Sequence, residues 1–246
     1  MIKKEYVIIS ILLIIILIFS MLIIFHHEAP KDNDVKSLPY REVLTNSSDE
    51  PGTVEVIRNI GNPNGNRIAY VVGVHPLEHE THETLVKLIS NMSNLNNSYD
   101  VYIINVTEDV GAYGMGLGDD SDPGRQNGQN LAYEYVYPEI SEGDYDMAID
   151  VHSNVGAYAY KTFVFCPVKE GLGVEYAQYV ADYCPDIAYY SPDSTTSGPY
   201  LTIPLNEDGI PAFYFEEYSF ATQDLKDQHV AELISAVDHI QDFNDM

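Results

Sequence analysis

Basic residues are scarce in this chain of 246 residues: 12 lysines and arginines stand against 38 aspartates and glutamates, a net charge of −26. The scarcity argues against nucleic acid as a partner, since that binding relies on Lys and Arg neutralising phosphates. It argues equally against flat docking on anionic lipid, and the acid excess reads as a solvated surface. Cysteine is almost missing too: Cys166 and Cys184 are the only two, with no C-x-x-C pairing. An oxidising compartment would let them bridge; two separate buried thiols fit the sequence as well. No internal repeat is present. Long apolar runs are confined to a single place, near the N-terminus.

That run covers residues 6–25, broken only by Ser10 and Ser20. Its length matches the ~20 residues of a helix that crosses a bilayer. Lys3 and Lys4 precede it, so the positive-inside rule keeps the N-terminus in the cytoplasm and puts the bulk of the chain outside. A cleaved signal peptide would have a shorter apolar region ending in small residues; here Ile24, Phe25, His26, His27 and Glu28 follow instead. The expectation is a single-pass membrane anchor over residues 1–28, a Pro- and Asp-containing linker over 29–52, and a catalytic domain over 53–246. Asn46, Asn91, Asn96 and Asn105 each open an N-x-Ser/Thr triplet, a pattern common by chance.

Strand and helix signals alternate through that domain. Strands are expected at 54–57, 68–72, 101–106, 147–151, 162–165, 187–190 and 212–215. Helices are expected at 80–92, 131–140, 174–182 and 224–243, from apolar residues at helical spacing. The runs at 101–106 and 147–151 are continuously apolar, as strands are when both faces of a sheet are covered. A long irregular stretch, 107–127, carries five glycines and four aspartates, and loops of that length in compact domains are commonly functional. The fold class is α/β: a three-layer α/β/α sandwich with a mostly parallel or mixed central sheet.

The chemistry gathers at strand ends, where ligands bind in open α/β sheets. His75 and Glu78 follow the strand at 68–72, His152 follows the strand at 147–151, and Glu216 closes the strand at 212–215. Arg125 sits in the glycine-rich stretch. Each has a plain reading alone, as a surface histidine, a capping histidine, a loop charge or a strand-end acid. Together, two His and one Glu form a ligand set of catalytic zinc sites, with a separate carboxylate to accept a proton and an arginine to hold a carboxylate or polarise a carbonyl.

Over roughly residues 67–217 the chain resembles the zinc carboxypeptidase superfamily, especially its succinylglutamate desuccinylase and aspartoacylase branch. The resemblance rests on GVHPLEHE after a strand, PGRQNGQNLA in the long stretch, AIDVHS after a central strand, and GIPAFYFEE near the end. It implies that His75, Glu78 and His152 hold one Zn2+, that Glu216 is the catalytic base with Glu217 as the adjacent alternative, and that Arg125 contacts substrate. The family has an Asn before that Arg, where this chain has Gly124. Tyr200, in the TSGPY segment, is the candidate for the family's substrate-facing tyrosine.

One local rival is His-x-x-Glu-His, from His75 to His79, in which both histidines come from one helix; Pro76 and the preceding strand oppose it. A rival of another class is a binding module that keeps the fold without the chemistry. The expected activity is metal-assisted amide hydrolysis by a membrane-anchored, extracytoplasmic metallopeptidase. Its substrates would be carboxylate-bearing peptides of the cell wall or surroundings. N-acyl amino acid deacylation is the alternative.

Overall fold

The structure, a computed structural model, describes residues 38–45, 48–111 and 123–240. The expected anchor, residues 29–37 and 46–47 of the expected linker (Asn46 among them) and the middle of the glycine-rich stretch lie outside the described residues. Among the described residues no helix is long and apolar enough to cross a membrane.

Eight strands form one mixed sheet: β1 (Tyr40–Val43), β2 (Gly52–Gly61), β3 (Arg67–Val72), β4 (Ser98–Val106), β5 (Met147–Asn154), β6 (Phe163–Phe165), β7 (Ala188–Tyr189) and β8 (Ala212–Tyr218). Their order across the sheet is β1-β2-β4-β3-β5-β8-β6-β7. The centre, β4-β3-β5-β8, is parallel, while β2 and β6 pair antiparallel at its two margins. β1 lies in the segment expected to be linker and pairs antiparallel with β2. That expectation is corrected for Tyr40–Val43. Three of its four residues are exposed, as in an edge strand, so no apolar alternation marks it in sequence.

Helices cover both faces. α1 (His79–Asn91), α4 (Leu172–Tyr183) and α6 (Gln223–His239) pack with Ile68, Tyr70, Val72, Ile149, Val151, Phe213 and Phe215. On the other face α2 (Pro123–Leu131), α3 (Tyr137–Ser141) and α5 (Thr202–Glu207) pack against Ala69, Val71, Ala148 and Ala212. A π-helical turn, Ala132–Val136, joins α2 to α3; Pro138 lacks the N–H that a regular ladder would need there. The alternation of β5 and β8 residues between two cores is the period of two that a strand imposes.

Both cysteines are free and buried. Cys166 Sγ faces the Ala212 carbonyl at 3.2 Å and Cys184 Sγ the Glu232 carbonyl at 3.4 Å, so the bridged alternative does not hold. Among the described asparagines of the triplets, Asn96 spends its side-chain amide on Asp238, 3.1 Å to the carboxylate.

Candidate metal centre

β3 ends at Val72, and His75 follows with extended backbone before a single 3-10 turn, Pro76–Glu78. That turn folds Glu78 back on His75, its N–H donating to the His75 carbonyl at 3.1 Å. β3 and β5 are parallel neighbours, so their carboxyl ends deliver His75, Glu78 and His152 to one point. One ligand atom from each lies within 4.8 Å of the others. His75 Nδ1 is 3.0 Å from Glu78 Oε1, and His152 Nδ1 is 3.0 Å from both Glu78 Oε2 and His75 Nδ1. Both imidazoles thus present the same nitrogen inward. The donor set is two ring nitrogens and a carboxylate, all buried. It fits a divalent cation such as zinc, which takes N and O ligands.

The outward nitrogens also have neighbours. His152 Nε2 lies 2.9 Å from Asp150 Oδ1, at ion-pairing distance but off hydrogen-bond alignment. His75 Nε2 lies 3.4 Å from Gln129 Nε2. Glu78 is held further by the Ser153 N–H at 2.8 Å and by Arg125 Nη1 at 3.3 Å. Burial disfavours charge on all three central groups. In His75 burial prevails and lowers the pKa to about 4. In His152 the Asp150 and Glu78 carboxylates outweigh it and raise the pKa. In Glu78 burial is outweighed by the two imidazoles, which hold the carboxyl well below its usual range.

Strand parity sends Glu216 and Glu217 to opposite faces of the sheet. His152 and Glu216 are register partners of the β5–β8 ladder, and Glu216 faces the same cavity as His75, Glu78 and His152. Glu217 points to the other face. There it is fully buried, accepts from Thr162 Oγ1 at 3.1 Å and pairs with His229 Nδ1 of α6 at 2.9 Å. Glu216 Oε2 is buried without a hydrogen-bond partner. Burial, with repulsion from Glu78, pushes its pKa up to about 8, against an opposing pull from His152.

The cavity holds about 490 Å³, and its lining includes Arg125, Tyr158, Phe165, Ser197 and Tyr214. Arg125 belongs to the first turn of α2, not to an irregular loop, because Pro123 opens the helix with a φ suited to that position. Arg125 Nη2 donates to Thr196 Oγ1 at 3.1 Å. A Cβ at Gly124 would meet the Asp109 carbonyl oxygen at 2.5 Å, so the Asn of the family pattern has no room there. Tyr200 is not among the cavity-lining residues: its hydroxyl accepts from Gln126 Nε2 at 2.9 Å. Two other tyrosines line the cavity: Tyr214, whose hydroxyl is held by Ser197 at 2.8 Å, and Tyr158, whose pKa burial and Glu216 raise. His79 is the first residue of α1, 55% exposed in its side chain and beside Glu83, while His75 is not helical. The His-x-x-Glu-His rival therefore lacks its helix. Asp150 and Gln129 carry signals in retrospect: Asp150 shares a strand face with His152, and Gln129 lies one helical turn after Arg125.

No family model matches the chain, and no curated protein matches it. Solved structures do. A protein of Burkholderia mallei ATCC 23344 assigned as a carboxypeptidase aligns at 12% identity over 81% of this chain and 62% of its own, TM-score 0.53. A metallo-carboxypeptidase of Burkholderia cenocepacia aligns at 12% identity over 81% and 64%, TM-score 0.52. The tripeptide-bound cell shape determinant Csd4 of Helicobacter pylori aligns at 13% identity over 75% and 54%, TM-score 0.51. The zinc carboxypeptidase resemblance read from sequence thus holds at the level of the fold. The chain spans less than two thirds of each of these proteins.

Proposed function

We propose that this chain is a membrane-anchored, extracytoplasmic, zinc-dependent peptidase acting on carboxylate-bearing peptides. The observation that carries the reading is the convergence of His75, Glu78 and His152 on one point, with Glu216 across the same cavity. The 20-residue apolar run at 6–25, preceded by Lys3 and Lys4, supports the anchor and its orientation. The fold shared with metallo-carboxypeptidases and a tripeptide-bound protein supports a peptide substrate.

His75, Glu78 and His152 would hold the cation. When bound, it supplies polarisation of the scissile carbonyl and acidification of a water. Glu216 takes the proton of the attacking water and later returns it to the departing nitrogen. Its place on the cavity wall at the end of β8, with Oε2 free of a protein hydrogen-bond partner, suits that double duty. Arg125, anchored by Thr196, meets the negative charge of the substrate. Tyr158 offers its hydroxyl at the cavity wall, the place that the family resemblance gives to Tyr200.

Elemental analysis of the full chain, purified without chelator, is expected to show zinc. The zinc-loaded protein is then offered short peptides and N-acyl amino acids. Peptide cleavage is the expected result, and cleavage of N-acyl amino acids alone would move the activity to deacylation. A chain that takes up no zinc and cleaves nothing is the binding module instead.

A further inference from the structure

We infer that Gln129 is a positioning residue whose side-chain amide follows the tautomer of His75, turning over when a metal ion binds. The inference rests on the proposed role of His75 as a ligand. Both side chains are buried. His75 Nδ1 lies 3.0 Å from Glu78 Oε1, and His75 Nε2 lies 3.4 Å from Gln129 Nε2. One tautomer satisfies both contacts: Nδ1 carries the proton and donates to Glu78, and the Nε2 lone pair accepts from the amide.

Ligation through Nδ1 needs the opposite tautomer. The lone pair must lie on Nδ1 and the proton on Nε2, which would then face the Gln129 NH2, donor against donor, in a buried place. A half-turn of the amide brings Oε1 to the same spot as an acceptor. A carboxamide is the side chain that serves both tautomers from one position, since it carries donor and acceptor on one plane. The partner of His152 is different. Asp150 only accepts when ionised, which suits the metal-holding tautomer alone. His152 Nδ1 meets the Glu78 carboxylate just as His75 Nδ1 does, at 3.0 Å, so the two histidines differ in their outward neighbours alone: a carboxylate beside His152 and a carboxamide beside His75.

Gln129 is buried on a helix that lies close against the His75 segment. A Cβ at the preceding Gly128 would stand 2.0 Å from the Val74 carbonyl oxygen, so α2 is pressed directly on the segment that carries His75.

The test uses the full chain in its natural form and as Gln129→Glu and Gln129→Leu variants, with zinc affinity read by chelator competition. Removal of the partner of a metal-ligating histidine typically costs 10–100-fold in affinity. Gln129→Leu is therefore expected to bind about 10-fold or more weakly, and Gln129→Glu, an acceptor only, about 10-fold more tightly. A merely structural role would weaken both. As a readout that needs no variant, the imidazole 15N signals of His75 in the natural chain should show Nε2 gaining its proton on zinc addition. Equal affinity in all three chains, weakening in both variants, or an unchanged His75 tautomer overturns the inference while leaving the zinc reading intact. A natural chain that takes up no zinc overturns both.

Discussion

Two clusters of buried charge lie at opposite ends of β3, and they differ in completeness. At its start, Asp100 is fully buried and meets Arg67 Nη2 at 2.6 Å, Arg58 Nη1 at 3.5 Å and the Asn59 N–H at 2.9 Å, with the Tyr145 hydroxyl also donating. Arg58 spends its remaining donors on Glu42 and Glu139. Beyond its end, two imidazoles and a carboxylate crowd one point, Arg125 Nε is buried without a partner, and so is Glu216 Oε2. The first cluster is closed: positive and negative groups satisfy one another with nothing added. The second leaves its polar atoms aimed inward at a shared space. Buried charge alone does not mark a functional site; what distinguishes the two is whether the partners are already present.

The contrast between the two ends should show most strongly in kinetics. Glu216→Gln keeps the shape and removes the proton acceptor, so turnover should fall by about 10²–10⁴-fold while zinc content stays the same. Glu217→Gln, on the opposite face, should leave turnover nearly unchanged and show its cost in thermal melting, because it weakens the hold on His229. Reversed outcomes would mean that Glu217, not Glu216, serves the cavity.

The closed cluster should respond in stability only. Asp100→Ala leaves Arg58 and Arg67 facing each other without their shared carboxylate, and breaking a buried pair from one side costs about 3–5 kcal/mol. Denaturant unfolding should show this loss, with zinc stoichiometry unaltered. Loss of zinc without loss of stability would show that the two ends of β3 are not independent.

Much of this layout is legible in the chain. β3, β4 and β5 are near-continuous apolar runs, and α6 carries its apolar residues at helical spacing, so the layers follow from period and polarity. His75, Glu78, His152 and Glu216 stand out because each sits where a recognisable strand stops. What escapes a reading of the sequence depends on contacts far apart along it. β1 becomes a strand through its pairing with β2, with Tyr40 opposite Arg58, which no local pattern announces. The start of α2 is hidden by glycines that read as loop but serve as close-approach positions, Gly124 against Asp109 and Gly128 against Val74. Among 20 tyrosines, nothing local separates Tyr158 from Tyr200; one faces the cavity and the other faces Gln126.

Among the described residues that line the cavity, Arg125 is the one lysine or arginine, so its removal tests the carboxylate preference directly. Arg125→Ala should cost ~2–5 kcal/mol in transition-state binding, as for loss of one partner of a buried charge pair. The loss, read as a fall in kcat/KM, should vanish for a substrate whose carboxylate is amidated. Equal cleavage of amidated and free-acid peptides by the natural chain would remove carboxylate recognition from Arg125.

A subtler difference concerns Glu216 in the metal-free protein. Its folded pKa, pushed up to about 8 by burial, stands above the ordinary carboxylate value of 4.5. Below pH 4.5 the group is protonated both folded and unfolded, and it contributes nothing to the pH dependence. As pH rises from 4.5 toward 8 the unfolded chain releases the proton while the folded chain keeps it, so stability falls across that window and levels off above it. Each pH unit between the folded and unfolded values corresponds to ~1.4 kcal/mol, and solvent in the open cavity screens part of it, leaving ~1–3 kcal/mol. Glu216→Gln, which has no proton to lose, should therefore melt higher than the natural chain at pH 7 in the metal-free state and equally at pH 4. Zinc favours the ionised carboxylate and should shrink the difference at pH 7. If the variant melts lower at pH 7 without metal, Glu216 is a stabilising partner like Asp100, and the contrast between the two ends of β3 fails.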